Sequence, residues 1–321
     1  MPLTRLLKTS VSTLARGAAG LACGLALGFA LGGQPALAQD ARGAAAAAHP
    51  AIQGDGPALW VIRDADSTLY LFGSVHVLRP SVGWASARVN SAFDSADQIW
   101  FEISNPDDQA AILPLIQQYG LSPQTPLSSL LNADDIQKLD AAARTIGATA
   151  AQMDPMRPWL VGLTLSVAPL VKAGYDPASG VELALKARAE AAGKPIHAFE
   201  TIDQQVRMLA TLPEDVQVAF LRQTLEDFDD ATAMLDGLVD AWAKGDVAGI
   251  EKVGLEDMRV EAPAVYQALL VERNTDWAGQ IQTLLEGSGT AFIVVGAAHL
   301  AGPDSVQSIL AQRGVQAVRV E

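Results

Sequence analysis

Two apolar, β-prone runs, 58–64 (ALWVIRD) and 68–75 (TLYLFGSV), flank the turn-forming segment Asp64-Ala65-Asp66-Ser67 and predict a hairpin. Trp84, Val89 and Phe93 recur at helical spacing and predict a helix over 84–96, followed by a buried strand over 98–103 (QIWFEI). Helices are expected over 107–119 and 133–146, and over about 155–172 with Pro155 in the first turn. An alanine-rich helix over 179–192 stops at Gly193. A short strand (KPIHAF, 194–199) leads into residues 201–243, which read as helical twice over, punctuated by Leu212-Pro213 and by Gly237. Short helices over 246–260 and a long helix over 265–285 precede the most strand-like run, 290–298 (TAFIVVGAA). Gly302-Pro303-Asp304 opens a helix over 304–313, and 315–320 is a last strand. This alternation predicts an α/β fold, mixed α+β in character. A central mixed sheet is flanked by helices and carries a large helical insert over about 107–192 and 201–287.

The N-terminus lies outside this pattern. Arg5, Lys8 and Arg16 precede the small, apolar stretch 17–33, and Ala36-Leu37-Ala38 follows Pro35. These are the three parts of a secretory signal peptide, residues 1–38, with cleavage expected after Ala38. The apolar stretch is short and glycine-rich for a membrane span of about 20 residues. Residues 39–56 read as a flexible lead-in to a domain over 57–321. The best later span candidate, Trp159 to Val171, is short and contains Pro169, so no membrane span is expected in the mature chain. The expected location is periplasmic or secreted.

Composition narrows the function. Half of the 321 residues are hydrophobic, which excludes a disordered chain. The formal charge of −14 falls to −17 once Arg5, Lys8 and Arg16 are removed, and this argues against a nucleic-acid partner. The single cysteine, Cys23, lies inside the signal, so disulfide scaffolds, cysteine-based zinc sites and iron–sulfur clusters are excluded.

Four predicted strands end on chemistry-bearing residues: His76, Glu102, Glu200 and His299. In open α/β sheets ligands bind beyond the carboxyl ends of the strands. Both histidines also follow a glycine by three residues, in Gly73-Ser74-Val75-His76 and Gly296-Ala297-Ala298-His299, where glycine permits a tight bend or a close backbone approach. His76, His299 and Glu102 suit a divalent metal, zinc included, with a fourth position left for water. Such a water becomes a nucleophile at neutral pH, and a second carboxylate such as Glu200 can take its proton. A metal-free route uses His76 as general base, oriented by Glu102 or Glu200. Both routes lead to hydrolysis. His49 and His197 read as structural.

The predicted helix over 265–285 carries an anomaly. Its apolar stripe runs Val265, Leu269, Arg273, Trp277, Ile281, so a guanidinium occupies a core position, which is costly unless paired. It is expected either to extend its head to water or to point into the site, pairing with Glu102 or Glu200 or stabilising an oxyanion, with Asn274 beside it as a neutral donor or acceptor. Asp176 reads as a helix cap, Pro158-Trp159 as core, and the run Glu226-Asp227-Phe228-Asp229-Asp230 as a solvated helix face.

These pieces together resemble the TraB/GumN family, which includes the Tiki proteases and the bacterial pheromone-shutdown proteins. The resemblance rests on GSVHVL (73–78), FE (101–102), Pro158-Trp159, GYD (174–176), GKPIHAFET (193–201) with Gln204-Gln205, AWAKGD (241–246), ERNTDWA (272–278) and VVGAAHLAGPDSV (294–306). It implies a mixed α/β fold related to erythromycin-esterase-like proteins and a metal-dependent hydrolase site. In the Tiki branch that activity is proteolysis with manganese or cobalt. By position, His76 and His299 match the motif histidines, Glu102 the family glutamate, Arg273-Asn274 the helical pair, and Glu200 the acidic residue after the central strand. Unlike in the membrane-bound members, no C-terminal anchor is expected here.

The expectation is therefore an exported, metal-dependent hydrolase, read first as a peptidase, acting on a peptide or small-molecule substrate. His76, Glu102 and His299 are the expected ligands; Glu102, Glu200, Arg273 and Asn274 are the expected catalytic groups. The rivals are a binding protein that sequesters a peptide or small ligand without turnover, and a metal-free, histidine-based esterase.

Overall fold

The computed structural model describes residues 50, 52 and 54–321. The expected signal peptide, His49 and most of the lead-in lie outside the described residues. In chain order the principal elements are β1 (Leu59–Arg63), β2 (Ser67–Ser74), α1 (Ala87–Ser95), β3 (Gln98–Phe101), α2 (Gln109–Tyr119), α3 (Ala133–Arg144), α4 (Pro158–Lys172), α5 (Val181–Ala191), β4 (Ile196–Ala198), α6 (Ile202–Ala210), α7 (Glu214–Glu226), α8 (Ala231–Ala243), α9 (Val247–Gly254), α10 (Glu272–Leu285), β5 (Gly289–Gly296), α11 (Val306–Gln312) and β6 (Val318–Arg319). This is the mixed α/β architecture that the hydropathy pattern predicts.

The six strands form one sheet in the order β4-β3-β5-β2-β1-β6. The predicted hairpin is present, with Asp64 accepting the Ser67 amide at the turn. Strands β2, β5, β3 and β4 run parallel to one another, and β1 is antiparallel to both β2 and β6. Four carboxyl ends therefore share one edge of the sheet. Alternation along β5 explains why the sheet is covered on both faces: Phe292 and Val294 enter one core cluster, Ile293 and Val295 the other. The second face packs under α10 and α11 through Trp277, Ile281 and Leu310. A third cluster, from Leu127 to Leu225, joins α3, α4 and α7 away from the sheet.

Local chemistry sets most boundaries. Ser86 caps α1 by accepting the Val89 amide, so that helix starts later than its apolar period suggests. Asp176 accepts the Ala178 amide, as expected of a cap, and Trp159 is fully buried. Gly237 does not punctuate: it lies inside α8, and the break falls at 227–230 instead. One interior glycine costs a helix only about 1 kcal/mol and is tolerated where packing supplies the rest. The acidic run is also not a uniformly solvated face, since Asp227 is buried against Gln223 Nε2. The helix expected over 265–285 starts at Pro263 and changes pitch. Residues Gln267–Val271 form a π-helical turn, closed by the Glu272 amide on the Gln267 carbonyl, before α10 begins. Among the described residues, no helix is long and apolar enough to cross a membrane.

Candidate functional site

The parallel register brings the two histidine motifs side by side. Ser74 of β2 pairs with Gly296 of β5, so His76 and His299 emerge from adjacent strand ends, His299 within the 3-10 turn Ala297–Leu300. Gly73 favours this approach. A Cβ there would stand 3.1 Å from the Ala297 Cα, so the first motif's glycine packs directly on the second motif. Trp242 Nε1 donates to the Gly73 carbonyl at 2.8 Å and fixes the same loop from α8. Glu102 follows β3 and Glu200 follows β4 at the same edge; the Glu200 amide donates to the Glu102 carbonyl. All six residues singled out in the sequence therefore belong to one cluster.

Arg273 ties it together. Its Nη2 donates to Glu102 Oε2 at 2.7 Å and to Glu200 Oε2 at 3.0 Å; its Nε donates to Glu200 Oε1 at 2.8 Å. It pairs with both glutamates rather than one, and its head is withdrawn from water, with 6% of the side chain exposed. A buried guanidinium is tolerable only with such complete pairing. The π-helical turn assists: the Leu269 carbonyl accepts from Arg273 Nη1 at 3.3 Å. Trp277, one turn on, lies under the guanidinium at 4.6 Å and donates from Nε1 to Glu200 Oε1.

The two histidines are held differently. Arg273 Nη1 is 3.1 Å from His299 Nε2, and Asn274 Oδ1 is 2.6 Å from His299 Nδ1. A guanidinium only donates, so Nε2 presents its lone pair. Asn274 spends its Nδ2 on the Asp304 carbonyl at 2.8 Å, so its Oδ1 accepts and Nδ1 carries the proton. Burial, then the Arg273 charge, then His76 hold the His299 imidazole well below its ordinary value, and it is neutral. His76 faces a carboxylate instead. Its Nδ1 lies 2.6 Å from Glu182 Oε1 in an ion pair that is off the hydrogen-bonding axis, and its Nε2 is buried with no hydrogen-bond partner among the described residues. Burial pulls the His76 pKa down, but attraction to Glu182 and Glu102 outweighs it and leaves the pKa raised. Glu182 in turn is held low: burial raises it, but His76, Ser74 and its own amide prevail.

Sequence reasoning assigns no site role to Glu182 or to Gln205, the latter entering only within the Gln204-Gln205 pair of the family resemblance. Glu182 shares a helix face with Leu185 and Ala189, and Gln205 shares one with Ile202 and Leu209; all six are buried. A polar residue on a core stripe is the signal that exposed Arg273, and it was available at both positions. Gln205 Nε2 donates to Glu102 Oε2 at 3.3 Å.

The donors expected for a metal are already engaged. Glu102 Oε1 accepts the Gly296 amide at 2.7 Å, Glu102 Oε2 accepts Arg273, and the His299 Nε2 lone pair receives Arg273. Of the three expected ligands, His76 alone has ring nitrogens without a hydrogen-bond partner among the described residues, and its Nδ1 lies against Glu182, which leaves Nε2. Among the described residues, no group of three or more His, Cys, Asp or Glu side chains is arranged to hold a metal ion. In this arrangement the three expected ligands converge but do not fit a shared cation, because Arg273 supplies the positive charge between them.

The family described as TraB/PrgY/gumN matches residues 58–319, and the chain belongs to it. Among its relatives, an uncharacterized protein of Treponema pallidum (strain Nichols) is 23% identical over 267 residues, which cover 79% of this chain and 80% of that protein. The uncharacterized protein YbaP of Escherichia coli (strain K12) is 22% identical over 256 residues, 79% of this chain and 92% of YbaP. YbaP of Shigella flexneri is similar to the same extent. No solved structure gives a significant match.

Proposed function

We propose that this protein is an exported hydrolase in which His76 is the general base, with peptides as the first substrate class to test. The observation that carries the reading is the His76 Nε2: a buried ring nitrogen, unpartnered among the described residues, beside a dense set of paired charges at the strand ends. Such a nitrogen can take a proton from water as the water adds to a carbonyl carbon. Arg273 pairs with Glu102 and Glu200 and orients both carboxylates, and its charge is available at the strand ends where an oxyanion would develop. His299, neutral and locked, contributes shape and an acceptor rather than a proton shuttle. The divalent cation implied by the family resemblance has no ready set of donors here, so no step is routed through it. Export rests on the signal-like residues 1–38.

The test uses protein recovered from the secreted or periplasmic fraction, with N-terminal sequencing to locate cleavage after Ala38. A quenched-fluorescent peptide library and p-nitrophenyl acetate are incubated with wild type and with His76→Asn, after exhaustive chelation and again with added manganese. New peptide termini from the chelated wild type, and none from a folded His76→Asn, support the reading. Turnover that vanishes on chelation and returns with manganese overturns the metal-free base. Full turnover by His76→Asn, or no turnover of either probe by wild type, overturns the assignment itself.

A further inference from the structure

The two glycine–histidine motifs differ at one informative position: Ser74 in the first is Ala297 in the second. Ser74, the last residue of β2, is fully buried and donates its hydroxyl to Glu182 Oε1, the oxygen that faces His76 Nδ1. Among the described residues nothing comparable stands behind Ala297, and His299 takes an amide as its neighbour instead.

Glu182 is delivered by a rigid attachment. Leu78 and Asp176 exchange backbone hydrogen bonds in both directions, and the Val181 amide donates to the Val75 carbonyl at 3.1 Å. Between these contacts, Gly180 lies so near the His76 loop that a Cβ would stand 2.3 Å from the His76 carbonyl oxygen. The segment 176–182 is thus docked backbone to backbone on the loop that carries His76. Its one buried charge, Glu182, is directed at that imidazole. A buried carboxylate is retained at a cost unless paired, and this one is paired with a serine and a histidine that together make up half of the first motif.

We infer that Glu182, anchored by Ser74, is the positioning residue of His76: its charge beside Nδ1 favours the ring proton there and leaves Nε2 to act on the reacting atoms. This rests on the reading of His76 as the base. Glu182 acts through the imidazole, as the carboxylate of a base–orienter pair does, and does not touch the substrate. It also replaces Glu102 and Glu200, the orienters expected from sequence, because Arg273 already claims both.

The experiment pairs kinetics with a structural readout that does not depend on turnover. The mature protein is labelled with 15N-histidine, and ring nitrogen shifts are recorded for wild type, Glu182→Gln and Ser74→Ala, alongside kcat and KM on p-nitrophenyl acetate. In Glu182→Gln the expected result is a kcat loss of at least about tenfold with KM nearly unchanged, and His76 ring shifts that move toward a mixture of tautomers while those of His299 stay in place. Ser74→Ala is expected to move the same His76 signals less. A folded Glu182→Gln with wild-type kcat and an unchanged His76 ring overturns the inference. If Glu182→Gln does not fold, Ser74→Ala decides: unchanged His76 signals overturn it. Should His76→Asn retain full turnover, the hydrolase reading falls, yet the ring shifts still score the Glu182–His76 coupling on their own.

Discussion

Arg273 Nη1 donates across 3.1 Å to His299 Nε2, and this one contact fixes the chemistry of half the site. An imidazole that must accept from a guanidinium at Nε2 while donating from Nδ1 to Asn274 has one tautomer and no easy route to protonation. The matching histidine of the first motif, two residues beyond the neighbouring strand, has a carboxylate at the same ring position and a buried Nε2 with no hydrogen-bond partner among the described residues. Equal motifs thus yield unequal histidines.

Removing Arg273 is expected to destabilise the fold as well as disturb the site. Arg273→Ala strands Glu102 and Glu200, two carboxylates with little exposure, and the loss is expected to be about 3–5 kcal/mol in unfolding free energy by urea titration. Arg273→Lys restores the charge but not the fork that reaches both glutamates, so it is expected to fall between wild type and Arg273→Ala. A stability change within about 0.5 kcal/mol for Arg273→Ala would contradict the pairing described.

Gly180 tests the attachment of the α5 segment. Its backbone is in the ordinary extended region, φ −61°, so Gly180→Ala introduces no torsional strain and acts only through the clash with the His76 carbonyl. The expected cost is about 1–3 kcal/mol, accompanied by reduced turnover, because the His76 loop must move outward. Thermal unfolding and the ester assay together check this: a Gly180→Ala protein with unaltered melting and unaltered rate contradicts so close an approach.

The His76–Glu182 pair predicts a stability difference with a definite pH sign. His76 is raised above its ordinary 6.5, so its contribution is fully present below that value and is lost as pH rises through the folded-state pKa. Glu182 is lowered from its ordinary 4.5, so its contribution is present above that value and is lost as pH falls through the folded-state pKa. The pair is therefore worth most between about pH 4.5 and 6.5. Urea titrations of wild type and Glu182→Gln are expected to differ most in that window and to converge at the alkaline end. A gap that widens above pH 9 contradicts the assignment of signs.

Much of this site was legible in the sequence because strand termini are. A run such as FIVVGAAH announces both the buried strand and the polar residue at its end, and the parallel order then does the gathering. Arg273 was visible as a charge on an apolar stripe. Glu182 lies on a core stripe in the same way, with Leu185 and Ala189, but an acid in the first turn of an alanine-rich helix also reads as an ordinary partner of the helix dipole, and that reading masks the signal. The π-helical turn at Gln267–Val271 leaves no periodic signature, and it is what lends the Leu269 carbonyl to the guanidinium. Nor could spacing show that Arg273 would enter between the expected metal ligands, because that depends on which residue reaches the strand ends first in three dimensions. The break between α7 and α8 was misplaced at Gly237 for a simpler reason: packing by Leu235, Leu238 and Val239 carries the helix through its glycine.

The measurement closest to the core of the account is a pH series of histidine ring 15N shifts in the mature wild-type protein. The account predicts that His299 keeps a neutral, Nδ1-protonated pattern throughout pH 5–8, while His76 takes up its proton with a midpoint above its free value of 6.5. Two histidines that titrate alike, or a His299 protonated at Nε2, would contradict it.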